Sequence, residues 1–159
     1  MHRAPAFCVA LSAALLITLL AGSWIIVPQP VRADDPAAAK VAPVETNMHE
    51  FMEYVFQPTF QRLKPAMDPS HAAEPAWRTI KSDSLILAES SNLLLLHKTA
   101  KEPAKWSETS VAVRDAAAQL YKSARQRDFA ASRKAYEQML TNCNACHKQF
   151  AGGRHMLTP

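Results

Sequence analysis

Only three of the 159 residues are glycine, and two of those are the neighbours Gly152 and Gly153. Alanine and leucine, by contrast, are abundant. Scarce glycine among many strong helix formers points to an all-helical domain, and the length gives room for one. Cysteine is scarce too: Cys8, Cys143 and Cys146 are the whole set. Cys143 and Cys146 lie three residues apart, so the pair cannot staple distant segments. No run of lysine and arginine forms a basic patch, and the formal charge is a modest +4. That excludes a case for nucleic acid or for an anionic membrane surface. No constellation of nucleophile and base stands out either, so the chain is not expected to be an enzyme.

The one long apolar run is at the start. Met1-His2-Arg3 is a short basic opening, Val9 to Val27 is almost entirely apolar, and Val31-Arg32-Ala33 offers small residues at a cleavage position before Asp34-Asp35. That order predicts a secretory signal peptide over 1–33. The competing reading is an uncleaved membrane anchor, since the run is long enough to span a bilayer. Either way the remainder is expected to be exported. Cleavage would remove Cys8, Arg3 and Arg32 and no acid, leaving a net charge of +2 and no cysteine beyond the close pair. Residues 34–45, rich in proline and alanine, read as a flexible leader.

The chain is organised around Cys143-Asn144-Ala145-Cys146-His147. The spacing C-x-x-C-H reads as a c-type haem attachment site. Two thiols that add to the two vinyl groups of one porphyrin must share a side of the backbone, and residues three apart on a helix do so. His147, next in line, can place an imidazole nitrogen under the iron. The rivals are a thioredoxin-like dithiol and half of a zinc site completed by His147 and His155. The first wants a βαβ context and the second wants more cysteines than the chain has.

Helical periodicity predicts four helices. The first starts at an Asn47…Glu50 capping box and runs to Met67, with His49, Met52, Phe56, Phe60, Leu63 and Met67 as its apolar stripe and a kink at Pro58. The second is expected over 76–97 with Pro75 at its first position. Its inner face is Trp77, Ile80, Ser84, Leu87 or Ala88, Ser91, Leu94 and Leu95, and the apolar run 93–96 is expected to be buried on more than one side. The third starts at Pro103 and alternates large Trp106, Val113 and Leu120 with small Ser110, Ala117 and Ala124, which lets a neighbour come close. Asp128 caps the fourth, whose stripe is Phe129, Tyr136, Leu140, Cys143, His147 and Phe150, and Gly152-Gly153 ends it. Short connections favour antiparallel neighbours. The expected fold is all-α, an up-down-up-down antiparallel four-helix bundle over 46–151 with a tail at 152–159 and haem attached near the C-terminal end of helix 4.

That topology gathers Met48, His49, Met52, Phe56, Leu95, Leu96, His97 and Trp106 at the pole of His147. Met52, as deep in helix 1 as His147 is in helix 4, is the leading candidate for the iron's second axial ligand, with Phe56 beside the haem. The alternatives are an iron whose sixth position is open, with Met52 as packing, and ligation by His49. His97 is expected to face water or to complement the helix dipole, and Trp106 to pack in the core or at the haem edge.

From Thr46 to Phe150 the chain resembles the class II c-type cytochromes, the cytochrome c-prime group and its Met-ligated relatives. The carriers are Cys143, Cys146 and His147 with Phe150 following, a Met-bearing first helix ending in Leu63-Lys64-Pro65-Ala66-Met67, and Trp77 opening the second. Cytochrome c-prime is itself a standard example of this bundle. The resemblance implies one covalent haem c on Cys143 and Cys146, His147 as proximal ligand, and a periplasmic place. Met-ligated members shuttle electrons between redox partner proteins, whereas high-spin members bind nitric oxide or carbon monoxide. The family also often pairs through helices 1 and 2. The basic residue expected a few places beyond the proximal histidine is not at its usual spot, which Lys148 and Arg154 flank. The expected function is a monohaem, one-electron carrier, with gas sequestration or sensing as the rival. A peroxidase would need a polar distal group, for which His49 is the candidate at hand.

Overall fold

The structure, a computed structural model, describes residues 41–97, 99 and 101–159. The signal or anchor segment and the leader up to residue 40 lie outside the described residues. Among those described there are helices and no strands, and they make a four-helix bundle.

The first rod has three parts. Helix α1 (Met48–Phe51) passes into a π turn (Met52–Phe56) and then into α2 (Gln57–Ala66), with helical dihedrals at both joins. Asn47 caps it through Oδ1, which accepts from the His49 amide at 3.0 Å. The reciprocal half of the capping box is not made by Glu50: the Asn47 amide donates to Glu45 Oε1 at 2.6 Å. Pro58 does not kink the rod in the simple way its ring predicts. The turn before it is widened, with the Gln57 amide donating back five residues to Met52. Proline has no amide to donate and crowds the carbonyl four residues earlier, and a π turn absorbs both effects. Thr59 Oγ1 also donates to the Val55 carbonyl at 2.6 Å.

The extra residue in that turn corrects the apolar stripe. Downstream of it Thr59, Leu63, Ala66 and Met67 are buried as a 3.6-residue period requires. Upstream the face moves by one residue, to Phe51 and Met48. His49 is therefore exposed and pairs with Glu53 at 3.5 Å.

Helix α3 (Trp77–Leu94) is shorter than expected and starts after Ala76, so Pro75 precedes the cap instead of opening the helix. Ile80, Ser84, Leu87, Ala88, Ser91 and Leu94 face inward. Leu93 and Leu95 do not: each is about two-fifths exposed (41% and 38%), so the leucine run is a one-sided helix end. Helix α4 (Pro103–Arg125) starts at the expected proline, preceded by Glu102 in the left-handed region. All six residues of its large–small alternation are buried. Helix α5 (Phe129–Phe150) begins at Asp128, whose Oδ1 accepts from Ala131 at 2.9 Å.

Successive rods pack side by side, α2 on α3, α3 on α4 and α4 on α5. Leu63, Met67, Ile80, Leu87, Leu120, Tyr136, Met139 and Leu140 fill the centre. One polar link crosses it near the surface: Asp83, 3% exposed, accepts from Arg62 Nη2 at 2.8 Å and Nε at 3.2 Å. At the far pole Arg133 Nη1 donates to the Met67 carbonyl at 2.5 Å, and the Trp77 and Phe129 rings meet edge to face.

Candidate cofactor-attachment site

The near pole holds the start of the first rod, the end of α3, the start of α4 and the end of α5. A separate apolar cluster fills it: Phe51, Leu94, Trp106 and Cys146 are buried, and Met48, Met52, Val55, Phe56 and Phe150 pack against them. Trp106 is held in place at both ends. Its Nε1 donates to the Leu94 carbonyl at 2.8 Å, and its ring meets Phe150 edge-on, with centroids 5.1 Å apart. The α3–α4 connection is tied to the same end of α5, since Lys101 Nζ donates to the Gln149 carbonyl at 3.2 Å and Gln149 Nε2 to Glu102 at 2.7 Å.

Cys143 and Cys146 are both free thiols. Cys146 lies in the apolar cluster at the near pole, and Cys143, one turn deeper, packs against the central core. Burial pushes the Cys143 thiol up to about 12, and the adjacent Cys146 adds to the rise. Burial also raises Cys146, while a hydrogen bond with Thr109 pulls the other way. Reactive dithiols depend on a lowered pKa, so thiols raised in this way argue against thiol–disulfide exchange.

His147 is half-buried on the next position. Its Nδ1 lies 2.8 Å from the backbone carbonyl of His155. A carbonyl only accepts, so Nδ1 carries the proton and Nε2 is the nitrogen left with a lone pair. Among the described residues no three His, Cys, Asp or Glu side chains converge as a metal-binding group. His155 in particular brings its carbonyl, not its ring, to His147.

Met52 and Phe56 are both brought into the cluster that contains Cys146; His49 is not. His97 is the correction with most weight. It does not face water: it is 8% exposed and stacked on Phe51, and its Nε2 is buried with no hydrogen-bond partner among the described residues. Sequence reading missed Phe51 for the same reason it included His49, the residue added by the π turn. Leu94, Val55 and Phe150 complete the cluster.

The donor set fits a haem. The macrocycle supplies four of the iron's ligands, so one imidazole with a free Nε2 is enough on the proximal side. Two thiols on one helical face are spaced for its edge, the surroundings are aromatic and apolar, and an orphaned imidazole nitrogen lies at the same pole.

The family model described as Cytochrome C' matches residues 95–151, which span α4, α5 and the connection before them. Over that stretch, about a third of the chain, the protein is similar to the cytochrome c-prime group of class II c-type cytochromes. That family implies haem binding. Comparison with curated proteins and with solved structures gives no match.

Proposed function

We propose that the protein is a periplasmic monohaem cytochrome that passes one electron at a time between redox partner proteins. In this reading Cys143 and Cys146 would bond haem c, and His147 and Met52 would be the side chains that ligate its iron. The observation that carries it is the packing of Met52, from the first rod, into the cluster of Cys146 on α5. A thioether paired with histidine raises the reduction potential, as a carrier requires. Bound haem supplies the change between ferric and ferrous iron. The chain's own part is to fix the imidazole through Nδ1, offer the thioether, and keep water out with Phe51, Phe56, Trp106 and Phe150. Such a step moves no proton at a side chain, and the family is generally non-enzymatic. The apolar run near the N-terminus supports export.

The test is the visible spectrum of the reduced protein with and without carbon monoxide. Sharp low-spin bands unmoved by the gas are expected, and Met52→Ala converts them to a high-spin form that binds it. The same conversion by Met48→Ala instead would move the ligand back one turn, to the other methionine of the cluster.

One observation favours a second reading. The buried, unpaired Nε2 of His97 can donate to a diatomic molecule on an open iron, with Met52 as packing. A broad high-spin spectrum that sharpens and shifts with carbon monoxide would put gas binding first.

A further inference from the structure

The nine residues after α5 do not simply trail away. Gly152 and Gly153, with φ of +64° and +74°, turn the chain back. The Ala151 and Gly153 amides both donate to the His147 carbonyl, at 2.9 and 3.0 Å, closing the helix at the residue that bears the imidazole. The returning strand of backbone is then gripped by the attachment motif itself. Asn144 Nδ2 donates to the Leu157 carbonyl at 2.9 Å, and the Leu157 amide donates to Asn144 Oδ1 at 2.7 Å. The Leu157 side chain packs on the central core, and Thr158 accepts from Lys64 Nζ of α2 at 2.9 Å. Between the glycine turn and that grip lies His155 at φ +56°, a conformation that is unfavourable for a residue with a Cβ. It is held there with its carbonyl 2.8 Å from His147 Nδ1.

We propose that this tail is a clasp on the proximal ligand, and that Asn144, between the two cysteines, is its positioning residue. The inference rests on the haem reading above. An amide side chain is matched to this task because it donates and accepts along one edge and so pairs with both polar groups of one backbone residue. With Leu157 thus pinned, the chain between it and Gly153 is too short to place the His155 carbonyl elsewhere. The carbonyl then fixes the imidazole tautomer and ring orientation and strengthens Nε2 as a donor, as second-shell acceptors do for metal-bound histidines. A stronger donor favours ferric iron over ferrous. The clasp therefore lowers the reduction potential against what His147 alone would give.

The experiment uses the full-length holoprotein, Asn144→Ala, a truncation after Gly153, and Thr158→Ala, which removes only the bond to Lys64. Covalent haem is first read by its absorbance on the denatured chain. Its absence from the parent protein would overturn the haem reading itself. Given haem, spectroelectrochemical titration should show the potential rising in Asn144→Ala and in the truncation, by about a tenfold change in the ferrous-to-ferric ratio at fixed applied potential. For one electron that is about 59 mV. Thr158→Ala should leave it in place. A fall in melting temperature with the potential unmoved in both variants would mean the tail only packs, and the clasp would be overturned. So would a potential that moves as far in Thr158→Ala.

Discussion

The Phe51 ring lies flat against the His97 imidazole, with centroids 5.1 Å apart and planes 24° from parallel. This contact joins the start of the first rod to the chain just beyond α3, and it buries a ring nitrogen that no described residue satisfies. Apolar packing, not hydrogen bonding, is what the contact contributes. His97→Leu should therefore change unfolding free energy by no more than about 1 kcal/mol, because the orphan's penalty vanishes with the bond it never made. Phe51→Ala should cost about 3 kcal/mol or more, as for a large aromatic side chain removed from a packed cluster. Urea denaturation of the two variants checks both values, and a larger loss in His97→Leu would show that the nitrogen has a partner.

Tyr136 is fully buried on α5, and its hydroxyl is likewise unpaired. Burial pushes its pKa from 10.0 to about 12, with Arg133 nearby pulling down. The folded state prefers the neutral phenol, so this group's contribution is complete below about pH 10. It is lost as pH rises from there to about 12, because the unfolded chain gives up its proton first. Tyr136→Phe should leave stability at pH 7 unchanged or slightly higher, and should flatten the alkaline decline. Denaturation midpoints measured from pH 8 to 12 test both parts.

Arg62 and Asp83 behave differently because only one partner is buried. Asp83 is 3% exposed and Arg62 52%. Arg62→Met keeps the aliphatic stem but leaves a carboxylate inside with no cation. That should cost about 1–3 kcal/mol, whereas Arg62→Met with Asp83→Leu should recover most of it. A double-mutant cycle by chemical denaturation reads the coupling. Additive losses would mean the pair contributes nothing as a pair.

The π turn can be tested by deletion. Tyr54, two-thirds exposed, is the residue that the widened turn can best spare. Removing it alone should force Pro58 into a regular α-turn and cost about 3 kcal/mol. Removing it together with Pro58→Ala should restore most of that, since an alanine amide can rejoin the ladder. Circular dichroism during thermal unfolding separates the two cases.

How much of this was readable from residues alone depends on where the period is regular. The alternation Trp106, Ser110, Val113, Ala117, Leu120 and Ala124 lies on an unbroken helix, and every one of those positions is buried. Asp128 and the glycine pair, whose roles are local, also act where the pattern puts them. The first rod failed upstream of Pro58 because one inserted residue in the ladder turns the helix face, exchanging His49 for Phe51. Proline signals a disturbance but not how the helix absorbs it. The leucine run at 93–96 misled for another reason: local apolarity does not say whether a neighbour is present to cover it. The grip of Asn144 on Leu157 lay beyond any pattern, since it pairs a side chain with backbone thirteen residues away through a turn.

The widened turn in the first rod also bears on order of opening. This rod packs chiefly against α3, and its hydrogen-bond ladder is interrupted at Pro58 and again by Pro65 within α2. Segments with such ladders release their amide protons at lower free energy than an intact core helix. Deuterium uptake should therefore be faster across 52–57 than along α4. The rod that carries Met52 and Phe56 is then the wall that swings aside most cheaply, and a flat macrocycle has a door on that side of the bundle.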